Sequence, residues 1–263
     1  MNTLFTGQKI ICLERTDSTN SYLTRLSAKK KLPEGTVIIT QNQEQGRGQR
    51  EAIWESDAGK NLTLSILLHP TFLKPDEQFI LNKVVSLGVI EFILKHTSSL
   101  SQEWKATIKW PNDIYIGNKK VAGILIENSV SGNKLQQSII GIGINVNQEK
   151  FSAELPNATS LKIIFGKEFD LEDNLEQLCS CIESRYLQLK ANHFEKINED
   201  YLQNLYRFDE WANFNSKGEI IKARITGITK IGKLVLGKEN GEKFECDFKE
   251  VEFTIPSSSP QVD

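Results

Sequence analysis

The chain is poor in cysteine and histidine. Four cysteines, Cys12, Cys179, Cys181 and Cys246, stand far apart or one residue apart. That spacing suits neither a paired-thiol zinc site nor a disulfide framework, so a reducing, cytoplasmic setting is expected. Three histidines, His69, His96 and His193, lie scattered without carboxylate or thiol neighbours, which argues against a zinc or histidine-based centre. An excess of one charge is also missing: 32 basic residues face 34 acidic ones, a net charge of -2. Non-specific nucleic-acid binding needs a basic face, so any anion site must be local and no nucleic-acid partner is expected. The opening MNTLFTGQKIICLE lacks the basic segment and apolar core of a secretion signal, and no run reaches membrane-spanning length. What remains is a chain of 263 residues, 39% hydrophobic, long enough for one sizeable core and a smaller appended module.

Periodicity orders that material. Gln8 to Glu14 reads as a strand, followed by a helix capped by Asp17 with Tyr22, Leu23 and Leu26 on one face. Thr36 to Gln41 is strand-like and runs into a polar, glycine-containing loop ending near Lys60. Asn61 to Leu68 alternates, and Asp76 to His96 has helical spacing. Strands follow at Thr107 to Trp110, Lys120 to Glu127 and Leu135 to Val146, with Gly117-Asn118 and Gly132-Asn133 as turns that favour antiparallel pairing. Asp170 caps a helix carrying Leu171, Leu175, Leu178, Ile182, Tyr186 and Leu189, and a second helical stretch spans Phe194 to Tyr206. Short strands then take over, including a hairpin at Asn240-Gly241 and apolar positions Val251, Phe253 and Ile255. The expected class is α+β, with a mixed sheet and flanking helices over 1–213 and a small β-barrel over 214–263 that ends in a mobile Ser/Pro-rich tail.

Two clusters can carry chemistry. Gly46-Arg47-Gly48-Gln49-Arg50 combines close backbone approach with two guanidinium groups, the makings of a phosphate site, although it lacks the third glycine of a dinucleotide fingerprint. Lys109-Trp110-Pro111-Asn112-Asp113 presents a cation, an amide and a carboxylate around a rigid proline turn. Lys120 opens an apolar strand, and simple alternation sends it and Lys119 to opposite faces, so only one of them can enter a site. Gly141 and Gly143 interrupt a β-branched strand, a sign that a ligand or another backbone approaches closely.

DSTN at Asp17 to Asn20, GRGQR, KWPND, KKVAGILIE and GIGINV, in this order and spacing, resemble the biotin protein ligases, over most of residues 10 to 150. The resemblance implies a catalytic domain like the core of class II aminoacyl-tRNA synthetases followed by a Src-homology-3-like barrel. It further implies that ATP activates biotin as an acyl-adenylate, with Mg²⁺, and that the product is transferred to a lysine of a biotin carboxyl carrier protein. By position, Ser18, Thr19, Asn20 and Gln43 would meet the biotin ring, with Gly46, Arg47, Gly48, Trp54, Gly123 and Gly141 around the ligand. Lys120 would contact carboxylate and phosphate, and Arg47, Gly48, Gln49, Arg50, Trp54, Lys109, Asn112 and Asn145 would surround the nucleotide. Asp113 matches an acidic position implicated in magnesium binding or transfer.

The implied chemistry suits these residue types. Biotin's carboxylate is already ionised at neutral pH, so attack on the α-phosphate needs no general base; the obstacle is repulsion between two anions. Lys120 and Arg47 are the cations to meet it, and the loop from Gly46 to Lys60 is the cover that excludes water from a hydrolysable anhydride. Two departures stand out. Gln49 occupies a position where many relatives carry a second arginine, and Glu51 adds a negative charge, so adenylate retention is expected to be weakened. Some relatives begin with a DNA-binding helix-turn-helix, for which the segment before the first strand is too short. The rival from the same fold is a lipoate or octanoate ligase, and the rival from another class is an RNA-binding protein. An exposed strand edge beside the site is expected either to pair with a second copy, forming a homodimer, or to dock the carrier.

Overall fold

A computed structural model describes residues 1–49, 52–97, 105–216, 218–248 and 250–253. Expectations for Arg50, Glu51, Ile255 and the Ser/Pro-rich tail lie outside the described residues. The β-branched and leucine-rich runs form seven strands: β1 (Ile10–Thr16), β2 (Val37–Gln43), β3 (Leu62–Leu68), β4 (Ala106–Lys109), β5 (Asp113–Ile116), β6 (Lys119–Ser131) and β7 (Lys134–Ile144). They make one sheet in the order β1-β2-β3-β7-β6-β5-β4. Only the β1–β2 pair is parallel; the two-residue turns at Gly117-Asn118 and Gly132-Asn133 impose antiparallel pairing on their strands. Gly117 and Gly132 both sit at φ 58°, a left-handed conformation that costs glycine nothing.

Two adjacent rungs of this sheet explain how it is used. Leu62, Ile144, Ala122, Ile114 and Ile108 are partners in sequence across β3, β7, β6, β5 and β4, and all are buried. They face the main core with helices α2 (Phe79–Thr97) and α4 (Leu171–Lys190). One residue further along each strand, the rung is Thr63, Gly143, Gly123, Asp113 and Lys109. Because side chains alternate, this polar and glycine-rich row faces the other way. On that face α1 (Thr19–Lys29) packs Leu23 with Leu67, Ile38 and Ile139 in a smaller apolar cluster.

Strand β5 was not anticipated. Its four residues sit between a proline turn and a glycine turn, too short a run to show alternation. Yet without it β4 would have no partner in the sheet, since β5 pairs with both β4 and β6. Two short elements complete the layer: α3 (Leu161–Phe165), also unanticipated, and α5 (Phe194–Gln203). As expected, Asp170 caps α4, accepting a hydrogen bond from the Asp173 N–H at 2.9 Å. The first helix differs: its N-cap is Ser18, while Asp17 turns outward to bind Arg25 through two contacts of 2.8 Å. Charge-assisted hydrogen bonding to that guanidinium holds the Asp17 carboxyl well below the usual range.

The remaining strands, β8 (Trp211–Ser216), β9 (Glu219–Ile228), β10 (Leu234–Gly237), β11 (Lys243–Cys246) and β12 (Val251–Phe253), form a second antiparallel sheet in the order β11-β10-β9-β8-β12. This is the strand content of a small Src-homology-3-like module, joined by the expected Asn240-Gly241 hairpin. Its first strand starts at Trp211, so a division at 213/214 cuts through β8. Trp110 Nε1 donates to the Gly232 carbonyl at 2.9 Å, which seats the second sheet against the proline turn.

Candidate active site

The glycine row forms the floor of a cleft of about 470 Å³. Of the residues singled out from sequence, Ser18, Thr19, Asn20, Gln43, Arg47, Gly48, Gln49, Trp54, Lys109, Asn112, Asp113, Lys120, Gly123 and Gly141 all line it. Gly46 and Asn145 do not. Gly46 lies at the base of the loop, where a Cβ would come within 2.1 Å of the Trp54 carbonyl oxygen. Asn145 is buried behind the rim: its amide donates to the Thr159 carbonyl at 3.0 Å, and its Oδ1 has no hydrogen-bond partner among the described residues.

One end of the cleft is a network of hydrogen bonds among the neutral side chains of Thr19, Asn20, Gln43 and Ser65, anchored on the Glu127 carboxylate. Thr19 N–H donates to Gln43 Oε1 at 2.9 Å, and the Ser65 hydroxyl lies 2.7 Å from Thr19 Oγ1 and 2.6 Å from Asn20 Oδ1. Asn20 Nδ2 reaches Glu127 at 2.8 Å and the Leu125 carbonyl at 3.3 Å. The amide of Asn20 sits directly over Gly141, where a Cβ would approach Oδ1 to 2.5 Å. Only glycine leaves that space.

The other end carries charge. Lys120 Nζ and Asp113 Oδ1 pair at 2.7 Å, and Lys120 Nζ lies 5.7 Å from the Trp54 ring. Strict alternation counted back from Gly123 would put Lys119 in the cleft and Lys120 in the core. The structure reverses this through a bulge: Ile114 pairs with Ala122 but Tyr115 pairs with Lys120, so Val121 is the extra residue. Val121 and Ala122 both enter the core, and Lys120 joins Gly123 on the cleft face. The backbone of Lys120 is fixed on the other side by Asn157 and Thr159 at 2.7 and 2.9 Å. Lys109, beside Asp113 in the same rung, donates to Tyr115 Oη at 3.2 Å and lies 5.5 Å from the Phe253 ring. Burial lowers its pKa, and burial raises that of Tyr115.

The glycine-arginine loop is a hairpin. Trp54 N–H donates to the Gly46 carbonyl at 3.0 Å, and Arg47 bridges to Ile53. Its base is fixed by Glu44 and Gln45, whose N–H groups donate to Thr16 and Asp17 carbonyls at 2.9 Å each. Its far side is fixed by Asn61 and Gln148, which bind each other at 2.6 Å and hold Ser56 and Asp57. Between these anchors the Trp54 ring lies on the glycine floor, 2.3 Å from where a Cβ on Gly143 would be.

Sequence reasoning did not select Ser65, Thr63, Glu127 or the cleft-lining Phe248, Glu252 and Phe253 of the C-terminal module. Gly143, singled out with Gly141 for close approach, lines the cleft on the same strand face. Glu127 likewise shares a face with Gly123 along β6. The second-sheet residues had no local signal, since their strand is remote in sequence.

A sheet with a glycine floor, a hydrogen-bonding pocket at one end, and lysines with a carboxylate at the other defines a cleft for activating a small carboxylic acid. Residues 12–145 match the model of the biotin/lipoate A/B protein ligase family, and the chain belongs to that family. Among its relatives is the bifunctional ligase/repressor BirA of Bacillus subtilis, 33% identical over 243 residues, covering 90% of this chain and 72% of the relative. The biotin–[acetyl-CoA-carboxylase] ligase of Paracoccus denitrificans is 30% identical, covering 75% of this chain and 81% of the relative. The biotin protein ligase of Aquifex aeolicus, solved in complex with biotin and ATP, superimposes with a TM-score of 0.75 at 28% identity, covering 94% of this chain and 99% of that one.

Proposed function

We infer that the chain is a biotin protein ligase: it converts biotin and ATP to biotinyl-5′-adenylate and pyrophosphate, then transfers biotin to a lysine of a carboxyl carrier protein. The observation that carries this reading is the juxtaposition of the Thr19–Asn20–Gln43–Ser65 network with the Lys120–Asp113 pair in one cleft. Biotin's fused ring presents both N–H donors and a carbonyl acceptor, which the neutral end can match, and its carboxylate then points toward the lysines.

At the charged end, the reacting carboxylate and the α-phosphate repel each other. Lys120 relieves that repulsion as a charge-assisted donor to both anions. Its partner Asp113 is then released, and Asp113 is the group placed to orient or accept the proton of the attacking acceptor amine, which must be neutral to form the amide. Among the described residues no cluster of three or more metal-ligating side chains occurs. Magnesium commonly needs only one or two carboxylates when phosphates supply the remaining oxygens, so Asp113 suffices on the protein side. Such an ion, when bound with ATP, would supply positive charge to offset that of the pyrophosphate leaving group. Trp54, lying on Gly143 and Gly123, serves as the cover that keeps water from the anhydride. Asn112 lines the nucleotide end, and Asn145 Oδ1, without a partner among the described residues, is the atom left to meet an amine.

We place the division between catalytic and C-terminal modules before Trp211, where the second sheet begins. Its Phe248 and Phe253 close the nucleotide end of the cleft. The four cysteines form no disulfide among the described residues, which suits a cytoplasmic enzyme, and no helix among the described residues is long and apolar enough to cross a membrane. The test is biotin-dependent exchange of pyrophosphate into ATP, followed by labelling of a biotin carboxyl carrier domain, with lipoate as control. Exchange with lipoate and not with biotin overturns the reading.

A further inference from the structure

We propose that Glu127 is the positioning residue of this cleft, a single carboxylate that sets the hydrogen-bond direction of the ring-binding end and tethers the covering hairpin. The proposal rests on the biotin-ligase reading and adds to it a residue that touches no substrate. Glu127 lies on β6, on the same strand face as Gly123, and outside the cleft lining. Its Oε2 accepts from Asn20 Nδ2 at 2.8 Å, and both of its oxygens lie 3.1 Å from Arg47 Nη2. It thereby joins three separate pieces of chain: the start of α1, the base of the hairpin and a central strand of the sheet.

The first consequence concerns Asn20. An asparagine amide can face either way, and which way decides whether it offers donors or acceptors to its neighbours. A carboxylate paired with a guanidinium only accepts, so Glu127 at 2.8 Å, helped by the more distant Leu125 carbonyl at 3.3 Å, draws Nδ2 toward itself and leaves Oδ1 toward Ser65. The Ser65 hydroxyl, 2.6 Å from that oxygen, must then supply its proton to it. The same Ser65 hydroxyl is shared with Thr19 Oγ1 at 2.7 Å, which leaves the Thr19 hydroxyl to donate to Gln43 Oε1 at 3.3 Å. Gln43 Oε1 is held by the Thr19 N–H, which leaves the Gln43 amide nitrogen as the donor for a ligand. Polarity at one end of this chain of contacts is thus transmitted to the group that reads the ring. Asn20 and Ser65 are almost fully buried, so a reversed amide would leave unmatched polar atoms.

The second consequence concerns the hairpin. Arg47 and Glu127 are both well exposed, at 47% and 38%, so the pair contributes only about 0–1 kcal/mol. That is too little to lock the cover shut, and enough to bias where Arg47 rests until an anionic ligand competes for it.

Glu127→Gln separates the two roles, because its amide oxygen still accepts from Asn20 while the charge facing Arg47 is gone. Glu127→Ala removes both. Two readouts follow: biotin affinity by equilibrium titration, and the rate of tryptic cleavage at the Arg47–Gly48 bond in ligand-free protein, followed by mass spectrometry. Glu127→Ala is expected to weaken biotin binding about tenfold and to speed cleavage several-fold. Glu127→Gln is expected to keep biotin affinity within about twofold of the parent while speeding cleavage as much as alanine does. Unchanged affinity and cleavage in Glu127→Ala overturn the proposal, and so does equal loss of affinity in both variants. Should the alanine variant fail to fold, the glutamine variant alone decides: faster cleavage with retained affinity supports the proposal, and any other result overturns it. Wild-type protein that does not bind biotin defeats the ligase reading, while the cleavage arm, which needs no ligand, still tests the tether.

Discussion

The two ends of the cleft are built on the same sheet and obey different physics. At the ring end, Thr19, Asn20 and Ser65 are at most 3% exposed and hold one another through short neutral hydrogen bonds. At the phosphate end, Lys120 and Asp113 are 33% and 24% exposed and satisfy each other as an ion pair. A buried neutral network is costly to rearrange, so it suits recognition of one rigid ring. A partly hydrated ion pair is cheap to exchange, so it suits groups that must first neutralise phosphate and then release it. Specificity and turnover are therefore assigned to opposite ends of one floor.

The sharpest way to break this comparison is Lys120→Ala. It is expected to lower biotin-dependent pyrophosphate exchange about 10²–10³-fold while leaving biotin affinity within a few-fold, and Lys119→Ala is expected to change neither. Equal effects from the two lysines would mean that the bulge at Val121 does not set the register. Ser65→Ala strikes the other end: biotin binding should weaken about tenfold, the cost of stranding buried partners, with exchange at saturating biotin close to the parent's. A fall in saturated exchange instead would show that the ends are not separable.

Gln49→Arg sharpens the comparison from the lid, because Gln49 lines the cleft without charge. Restoring a guanidinium there should slow dissociation of the adenylate several-fold, measured by filtration of preformed complex, and leave its formation rate nearly unchanged. The smallest effect is expected far from both ends. Lys83, buried between Phe79 and Tyr201 and donating to Asn198 Oδ1 at 2.7 Å, has its pKa lowered by burial to about 8. Below pH 8 the folded and unfolded chains both carry the proton, and the cost of burying the charge is constant. From about pH 8 to the ordinary lysine value the unfolded chain binds more protons, so this group makes stability rise with pH. Lys83→Met should abolish that rise and lift Tm at pH 7 by about 2–4 °C, without altering exchange. A melting profile whose pH dependence survives the substitution would show that other groups cause it.

Much of this was legible in the residues. Both halves of the cleft are announced by short motifs whose members are close in sequence, and the turns at Gly117 and Gly132 declare the antiparallel pairing around them. Lys120 was assigned to the cleft, but simple alternation did not provide the reason. Parity alone names only that the two lysines differ, and the bulge that selects Lys120 depends on Val121 finding room in a core assembled from distant strands. Glu127 and Ser65 were missed because a charged or hydroxyl residue in an apolar strand reads as ordinary surface or core until its neighbours are known. Residues of the C-terminal sheet entered the cleft for a similar reason: Phe253 reaches Lys109 across more than a hundred intervening positions, where no local pattern can speak.

The sequence by itself determined which strands alternate, where they turn and which side chains have chemistry to offer, because these follow from local geometry and residue type. Tertiary structure alone decided that Thr63, Gly143, Gly123, Asp113 and Lys109 stand in one row, and that Glu127 meets both Asn20 and Arg47. Register across a sheet is a sum of many weak long-range contacts, and a single bulged residue shifts it. For that reason the active surface of this protein comes into existence only when the five strands are aligned.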